Sequence, residues 1–153
     1  MLTLSADQKQ ALDTILDWFD APHKKQSITL GGYAGTGKTT LLAHLRHEIH
    51  QKKPKLKVGF ASYTGKAARV LNSTLQTGLV LLKQDTVGTI HSLIYSPVVN
   101  EREEIIGWKQ KEKIDRELII IDEGSMVDRE IWRHLLSYKI PIIVVGDHGQ
   151  LPP

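Results

Sequence analysis

The residues with the clearest chemistry are Gly32-Tyr-Ala-Gly-Thr-Gly-Lys-Thr39, which meet the phosphate-loop pattern G-x-x-x-x-G-K-[ST] at every fixed position. Glycine at 32, 35 and 37 opens backbone angles closed to other residues, so several N–H groups can turn inward as an anion nest. A helix after the loop adds its positive N-terminal end. In that setting Lys38 reaches the β- and γ-phosphates and the Thr39 hydroxyl ligates Mg²⁺. A second cluster, Asp122-Glu123, ends the apolar run Glu117-Leu-Ile-Ile-Ile-Asp122. Paired with a phosphate loop, Asp122 suits Mg²⁺ held through its water shell. Glu123 then orients or deprotonates an attacking water. The third is Gly146-Asp-His-Gly-Gln-Leu-Pro-Pro153. The Gln150 amide both donates and accepts, so it can sense a γ-phosphate; the same residues also read as a proline-terminated turn.

These groups need elements to carry them. Apolar positions Ala11, Leu12, Ile15, Leu16 and Phe19 recur at helical spacing over 5–19, and Ser5 with Gln8 forms a capping box. Ala21-Pro22-His23-Lys24-Lys25 reads as a linker. Residues 27–31 read as a strand into the phosphate loop, with a helix over about 38–51. Lys52, Lys53, Lys55 and Lys57 around Pro54 read as a solvated loop, with phosphate contact as the alternative. Lys57–Ser62 is a second buried strand, followed by a helical run through Leu71. Residues 72–88 fit helix or strand, and Thr89–Ile94 a short helix capped by Thr89. Two β-prone runs around a polar turn over 95–114 predict a small hairpin, an insertion in which Trp108 is expected to pack into the core. Glu117–Asp122 and Ile140–Gly146 are strands, with Val127–Tyr138 helical between them. Near-continuous apolar strands alternating with helices predict an α/β fold, a parallel sheet covered on both faces.

The chain has 153 residues, 41% hydrophobic and 24% charged, enough for one domain with one core. The net charge of +3 permits nucleic acid binding without establishing it. The absence of cysteine excludes disulfides and thiolate metal sites. The N-terminus lacks a secretory pattern and the apolar runs are far too short for a bilayer, so the expectation is a cytoplasmic protein with no membrane partner. A small-molecule kinase does not need the second acid Glu123, and no Asn-Lys-x-Asp guanine reader is present.

Taken together, the motifs resemble the first RecA-like motor domain of a superfamily 1 helicase, of the RecD-like 5′-to-3′ branch. Leu4-Ser-Ala-Asp-Gln8 resembles the Q motif, Gly31–Thr40 motif I, Ala61-Ser-Tyr-Thr-Gly-Lys-Ala-Ala68 motif Ia and Thr89-Ile-His-Ser-Leu93 motif Ib. Ile119-Ile-Ile-Asp-Glu-Gly-Ser-Met126 resembles motif II, with Gly124 where Ala is more usual, and Gly146–Pro153 resembles motif III. The resemblance implies a P-loop NTPase fold across 1–153, with ATP and Mg²⁺ as cofactors. Gln8 would read adenine. Gly32, Gly35, Thr36, Gly37, Lys38, Thr39 and Thr40 would hold the nucleotide, and Thr39 and Asp122 the metal. Lys38, Glu123 and Gln150 would act in hydrolysis. Thr64, Lys66 and His91 would contact single-stranded DNA, and the 95–114 insertion sits where relatives carry a duplex-splitting pin, with Trp108 facing DNA there as the alternative to core packing. Relatives continue into a second RecA-like domain that supplies arginines to the transferring phosphate. The expectation is therefore weak nucleotide binding and negligible unwinding by these residues alone. A nucleotide-gated module that binds nucleic acid or protein without turnover is the alternative.

Overall fold

The computed structural model describes residues 3–22, 25–31 and 36–146. Helix α1 (Ala6–Asp20) starts at the expected capping box: Ser5 Oγ accepts from the Gln8 N–H at 3.2 Å, and Gln8 Oε1 accepts from the Ser5 N–H at 2.9 Å. Strand β1 (Ser27–Gly31) leads towards α2 (Thr36–Lys52), then β2 (Val58–Ser62), α3 (Gly65–Thr77) and β3 (Thr86–Thr89). Helix α4 (Ile90–Ile94) follows directly, capped by the Thr89 hydroxyl on the Ser92 N–H. The hairpin is β4 (Tyr95–Val99) and β5 (Ile105–Gln110); β6 (Leu118–Asp122), a 3₁₀ turn (Gly124–Met126), α5 (Arg129–Ser137) and β7 (Ile142–Gly146) complete the order.

Among the described residues five parallel strands form the main sheet in the order β1-β7-β6-β2-β3, and β4-β5 is a separate antiparallel pair. The chain moves outward along the sheet through α2 and α3 and returns through α4 and α5. Right-handed crossovers in opposite directions must lie on opposite faces, and the side-chain alternation obeys this. Leu118, Ile120, Ile143 and Val145 join the core under α1, α2 and α3. Ile119, Ile121, Ile142 and Val144 join the core under α4 and α5. The parallel sheet covered on both faces is therefore the one expected from the apolar runs.

Four local differences have physical reasons. Residues 72–88 divide between the end of α3 and the strand β3, whose Thr86-Val-Gly-Thr89 is too short to declare itself by period. Helix α5 begins at Arg129 rather than Val127, because the Asp128 carboxylate caps the Ile131 N–H at 2.8 Å. Lysines 52 and 57 are not simply solvated: they pair with Asp20 at 3.0 Å and Asp115 at 2.8 Å. Trp108 is not core: it is 52% exposed, because β5 lies outside the two-faced sheet and its ring meets His91 rather than the packed interior.

A buried ion pair braces α2 against the chain entering β3. Arg46 and Asp85 meet through two contacts of 2.9 Å, with side chains only 2% and 0% exposed. Asp85 also accepts from the Val58 and Leu82 N–H groups, and Arg46 donates to the Leu56 carbonyl. Among the described residues, no helix is long and apolar enough to cross a membrane.

Candidate nucleotide and nucleic-acid site

Register brings the chemistry to one end of the sheet. Gly31 pairs with Gly146, Asp122 with Val145, and Ser62 with Asp122, so the C-terminal ends of β1, β7, β6 and β2 are level. In open α/β sheets ligands bind beyond these ends. There, Lys38 from the first turn of α2 places Nζ 2.8 Å from Asp122 Oδ1, both side chains being less than a fifth exposed. Lys38, Thr39 and Asp122 line one cleft of about 330 Å³, walled by Leu42 and by Val70, Leu71, Thr74 and Leu75. The buried Ser62 hydroxyl donates to the Asp122 carbonyl at 3.3 Å and steadies the strand end that carries the acid.

Glu123 follows in the left-handed region, φ 60° and ψ 54°, exposed, with its N–H held by the Val145 carbonyl at 2.9 Å. A non-glycine residue in such a conformation costs on the order of 1–3 kcal/mol and persists only where neighbours hold it. The next residue is equally constrained. A Cβ at Gly124 would stand 2.4 Å from Val144 Cγ1, so glycine is required by contact rather than by turn geometry.

Gln8 lies beside the start of α2. Its Nε2 donates to the Gly37 carbonyl at 3.1 Å while its Oε1 serves the capping box. A Cβ on Gly37 would approach that Nε2 to 3.3 Å. Each end of the amide retains one hydrogen-bonding position. Thr40 lies in the same turn of α2, half-buried. Gly32, Gly35 and Gln150, and the side chain of Thr36, lie outside the described residues.

The donor set suits Mg²⁺. That ion keeps several waters and takes one or two protein oxygens plus substrate phosphates, and Thr39 and Asp122 are such oxygens in one cleft. No group of three or more His, Cys, Asp or Glu side chains placed to hold a metal occurs among the described residues.

The residues expected at nucleic acid fall at the same sheet end. The Thr64 hydroxyl caps α3 by accepting from the Ala67 N–H at 3.1 Å, leaving its own proton to donate. Lys66 is exposed in the first turn of α3. His91 is exposed on α4, its ring 4.6 Å from those of both Tyr95 and Trp108. Tyr95 in turn shares a 2.5 Å hydrogen bond with His134 Nδ1. Burial first, then the carboxylates of Glu130 and Asp128, push the Tyr95 phenol above its ordinary value, so it stays protonated at neutral pH. The sequence had no signal for Ser62 beneath Asp122, since only pairing register reveals it.

Residues 19–153 match the model of the AAA domain family. The chain belongs to that family. It is 32% identical over 140 residues to the RecBCD enzyme subunit RecD of Buchnera aphidicola, covering 82% of this chain and 23% of that protein. It is 31% identical over 156 residues to the ATP-dependent DNA helicase dda of Enterobacteria phage T4, covering 98% of this chain and 33% of that protein. The chain thus spans about a third or less of these curated relatives. The resemblance to a RecD-like superfamily 1 motor domain, read from the motifs, is borne out by these relatives. The crystal structure of the HK97 bacteriophage large terminase superposes with a TM-score of 0.52 at 16% identity, covering 95% of this chain and 33% of that one. At that identity the likeness speaks for the P-loop NTPase fold alone.

Proposed function

We propose that this chain is the ATP-binding motor unit of an ATP-dependent DNA helicase that moves along single-stranded DNA once a second motor domain closes the cleft. The observation that carries the reading is Lys38 Nζ on Asp122 Oδ1 at 2.8 Å, with Thr39 in the same cleft. A phosphate-loop lysine resting on the strand-end acid is a site whose positive and negative groups satisfy each other until nucleotide arrives. Lys38 would then turn to the β- and γ-phosphates, freeing Asp122. Thr39 and Asp122 would hold Mg²⁺, which supplies charge neutralisation at the phosphate oxygens. The phosphate loop, with Gly32, Gly35, Thr36, Gly37 and Thr40, would cradle the phosphates, and the remaining donor of Gln8 would read the adenine edge.

For hydrolysis, Glu123 takes a proton from water as the water oxygen bonds to the γ-phosphorus. The bond from that phosphorus to the β,γ-bridging oxygen breaks, and ADP leaves with the electron pair. Gln150 would report loss of the γ-phosphate. Helix α3 supplies a route from that event to DNA. Its middle, Val70 to Leu75, walls the cleft beside Lys38, and its N-terminal end carries Thr64 and Lys66, which would grip the DNA backbone with His91. The 95–114 hairpin would stand at the duplex junction.

Binding of a fluorescent ATP analogue with Mg²⁺ tests the reading. Lys38→Ala is expected to weaken binding at least tenfold, and Asp122→Asn to remove most of the gain that Mg²⁺ provides. Unchanged affinity in Lys38→Ala would refute it. DNA-stimulated hydrolysis measured with the second motor domain present separates a motor from a module that only binds.

A further inference from the structure

Helix α3 carries its terminal glycine one residue before the position where a helix end uses one. The chain closes α3 with a left-handed cap: the Val80 N–H donates to the Leu75 carbonyl at 2.9 Å, and the Leu79 N–H to the Gln76 carbonyl at 3.1 Å. In that pattern the residue in the left-handed region is usually glycine. Here it is Leu79, with φ 56°, and its side chain is 90% exposed, so no packing requires leucine there. Gly78 has φ −80° and ψ 1°, angles that residues with side chains also adopt.

Backbone conformation therefore does not explain glycine at 78; space does. A Cβ there would stand 3.0 Å from Thr39 Cγ2, inside the 3.4 Å at which ordinary contact begins, and 3.3 Å from the Thr74 carbonyl oxygen. The Thr39 methyl, carried by α2, sits in the room that the absent side chain of Gly78 leaves. That seat matters because of how threonine branches. Oγ1 and Cγ2 leave the same carbon and rotation about χ1 is restricted, so seating the methyl sets the direction of the hydroxyl. Thr39 lines the cleft with Lys38 and Asp122, and so do Thr74 and Leu75 from the last turns of α3. Positions 74, 75 and 78 fall on one side of a helix, so the side that closes the cleft continues into the glycine seat.

We infer that Gly78 is a positioning residue: its missing side chain seats the Thr39 methyl against the end of α3 and so fixes the direction of the Thr39 hydroxyl, the group that would ligate Mg²⁺. This deepens the motor reading and rests on it for the hydroxyl being a metal ligand. A methyl at 78 forces Thr39 to give way by a few tenths of an ångström. Mg²⁺ demands near-ideal octahedral geometry, so a ligand turned away from its place is poorly tolerated.

The test measures the affinity of the full 153-residue chain for a fluorescent ATP analogue, with Mg²⁺ and with EDTA in its place. Gly78→Ala is expected to weaken binding about tenfold with Mg²⁺, as when a metal ligand loses its support, and less than about twofold without it. In a Thr39→Ser background, which keeps the hydroxyl and deletes Cγ2, Gly78→Ala should cost nothing further, whatever Thr39→Ser costs by itself. Leu79→Gly should raise the urea midpoint, since glycine takes a positive φ freely, and leave both affinities unchanged. With no ligand present, the change in urea midpoint caused by Gly78→Ala should be more favourable in the Thr39→Ser background than beside the native threonine.

A Mg²⁺-supported affinity indifferent to Gly78→Ala overturns the proposal. So does an equal loss with and without Mg²⁺, a loss that persists in the Thr39→Ser background, or the same midpoint change in both backgrounds. If Gly78→Ala does not fold, the double variant decides: it should fold and respond to Mg²⁺ as Thr39→Ser does, and its failure to fold overturns the proposal as well. A chain in which Mg²⁺ adds nothing to nucleotide affinity loses the metal-ligand reading and the proposal with it. An intact Mg²⁺ gain that Gly78→Ala does not touch removes the proposal alone.

Discussion

Replacing Gly124 with alanine adds one methyl group. In this chain the methyl has nowhere to go. Its carbon would lie 2.4 Å from Val144 Cγ1, whereas ordinary contact begins at 3.4 Å, so something must yield by about 1 Å. Val144 is 2% exposed on β7, which is hydrogen-bonded to β1 on one side and β6 on the other. The 3₁₀ turn is held on its other side by the Glu123 N–H on Val145. Overpacking of this kind costs roughly 1–3 kcal/mol. For a chain of this size that lowers Tm by roughly 2–4 °C per kcal/mol. Val144→Ala alone should cost about 2–3 kcal/mol through the space it leaves. The double variant should lose less than the sum, with a coupling of about 1–2 kcal/mol, because the new methyl fills part of that space. Urea unfolding of the four proteins completes the cycle. An unchanged midpoint in Gly124→Ala, or strictly additive losses, would refute the contact argument. Either result would also leave glycine at 124 without a steric cause.

Two further outcomes follow from buried or shared hydrogen bonds. Asp85→Ala leaves the Arg46 guanidinium buried without its partner and frees the N–H groups of Val58 and Leu82. A loss of about 3–5 kcal/mol is expected by urea unfolding, and a loss under about 1 kcal/mol would show that the pair is not a brace. Gln8→Glu keeps the acceptor of the capping box but removes the donor to the Gly37 carbonyl. It should weaken the preference for ATP over GTP in analogue binding. Ser5→Ala should instead cost about 1 kcal/mol of stability and leave that preference intact; equal effects of the two would assign Gln8 to capping alone.

Much of the fold is legible because a parallel sheet buried on both faces has an unmistakable apolar signature. Leu118–Asp122 and Ile142–Gly146 could hardly be anything else. The capping box at Ser5 and the cap at Thr89 are legible for a different reason, since both partners lie within three residues. Short β3 is not, having too few residues to show a period. Trp108 misleads because aromatic character announces burial, and only the hairpin's place outside the sheet leaves half of the ring uncovered. The Arg46–Asp85 pair is invisible in the sequence, since 39 residues separate two charges that composition assigns to solvent.

The sequence by itself determined that a phosphate loop, a strand-end acid pair and the strands to carry them exist in this chain. Those are local facts of residue type and spacing, and the backbone chemistry they demand is local as well. Only the tertiary structure decided that Lys38 and Asp122, 84 residues apart, touch at 2.8 Å. Only it showed that Gly124 is bound to its identity by Val144. And only it showed that the hairpin leaves the Trp108 indole half exposed. These depend on strand order and register, which arise from how distant segments share one core.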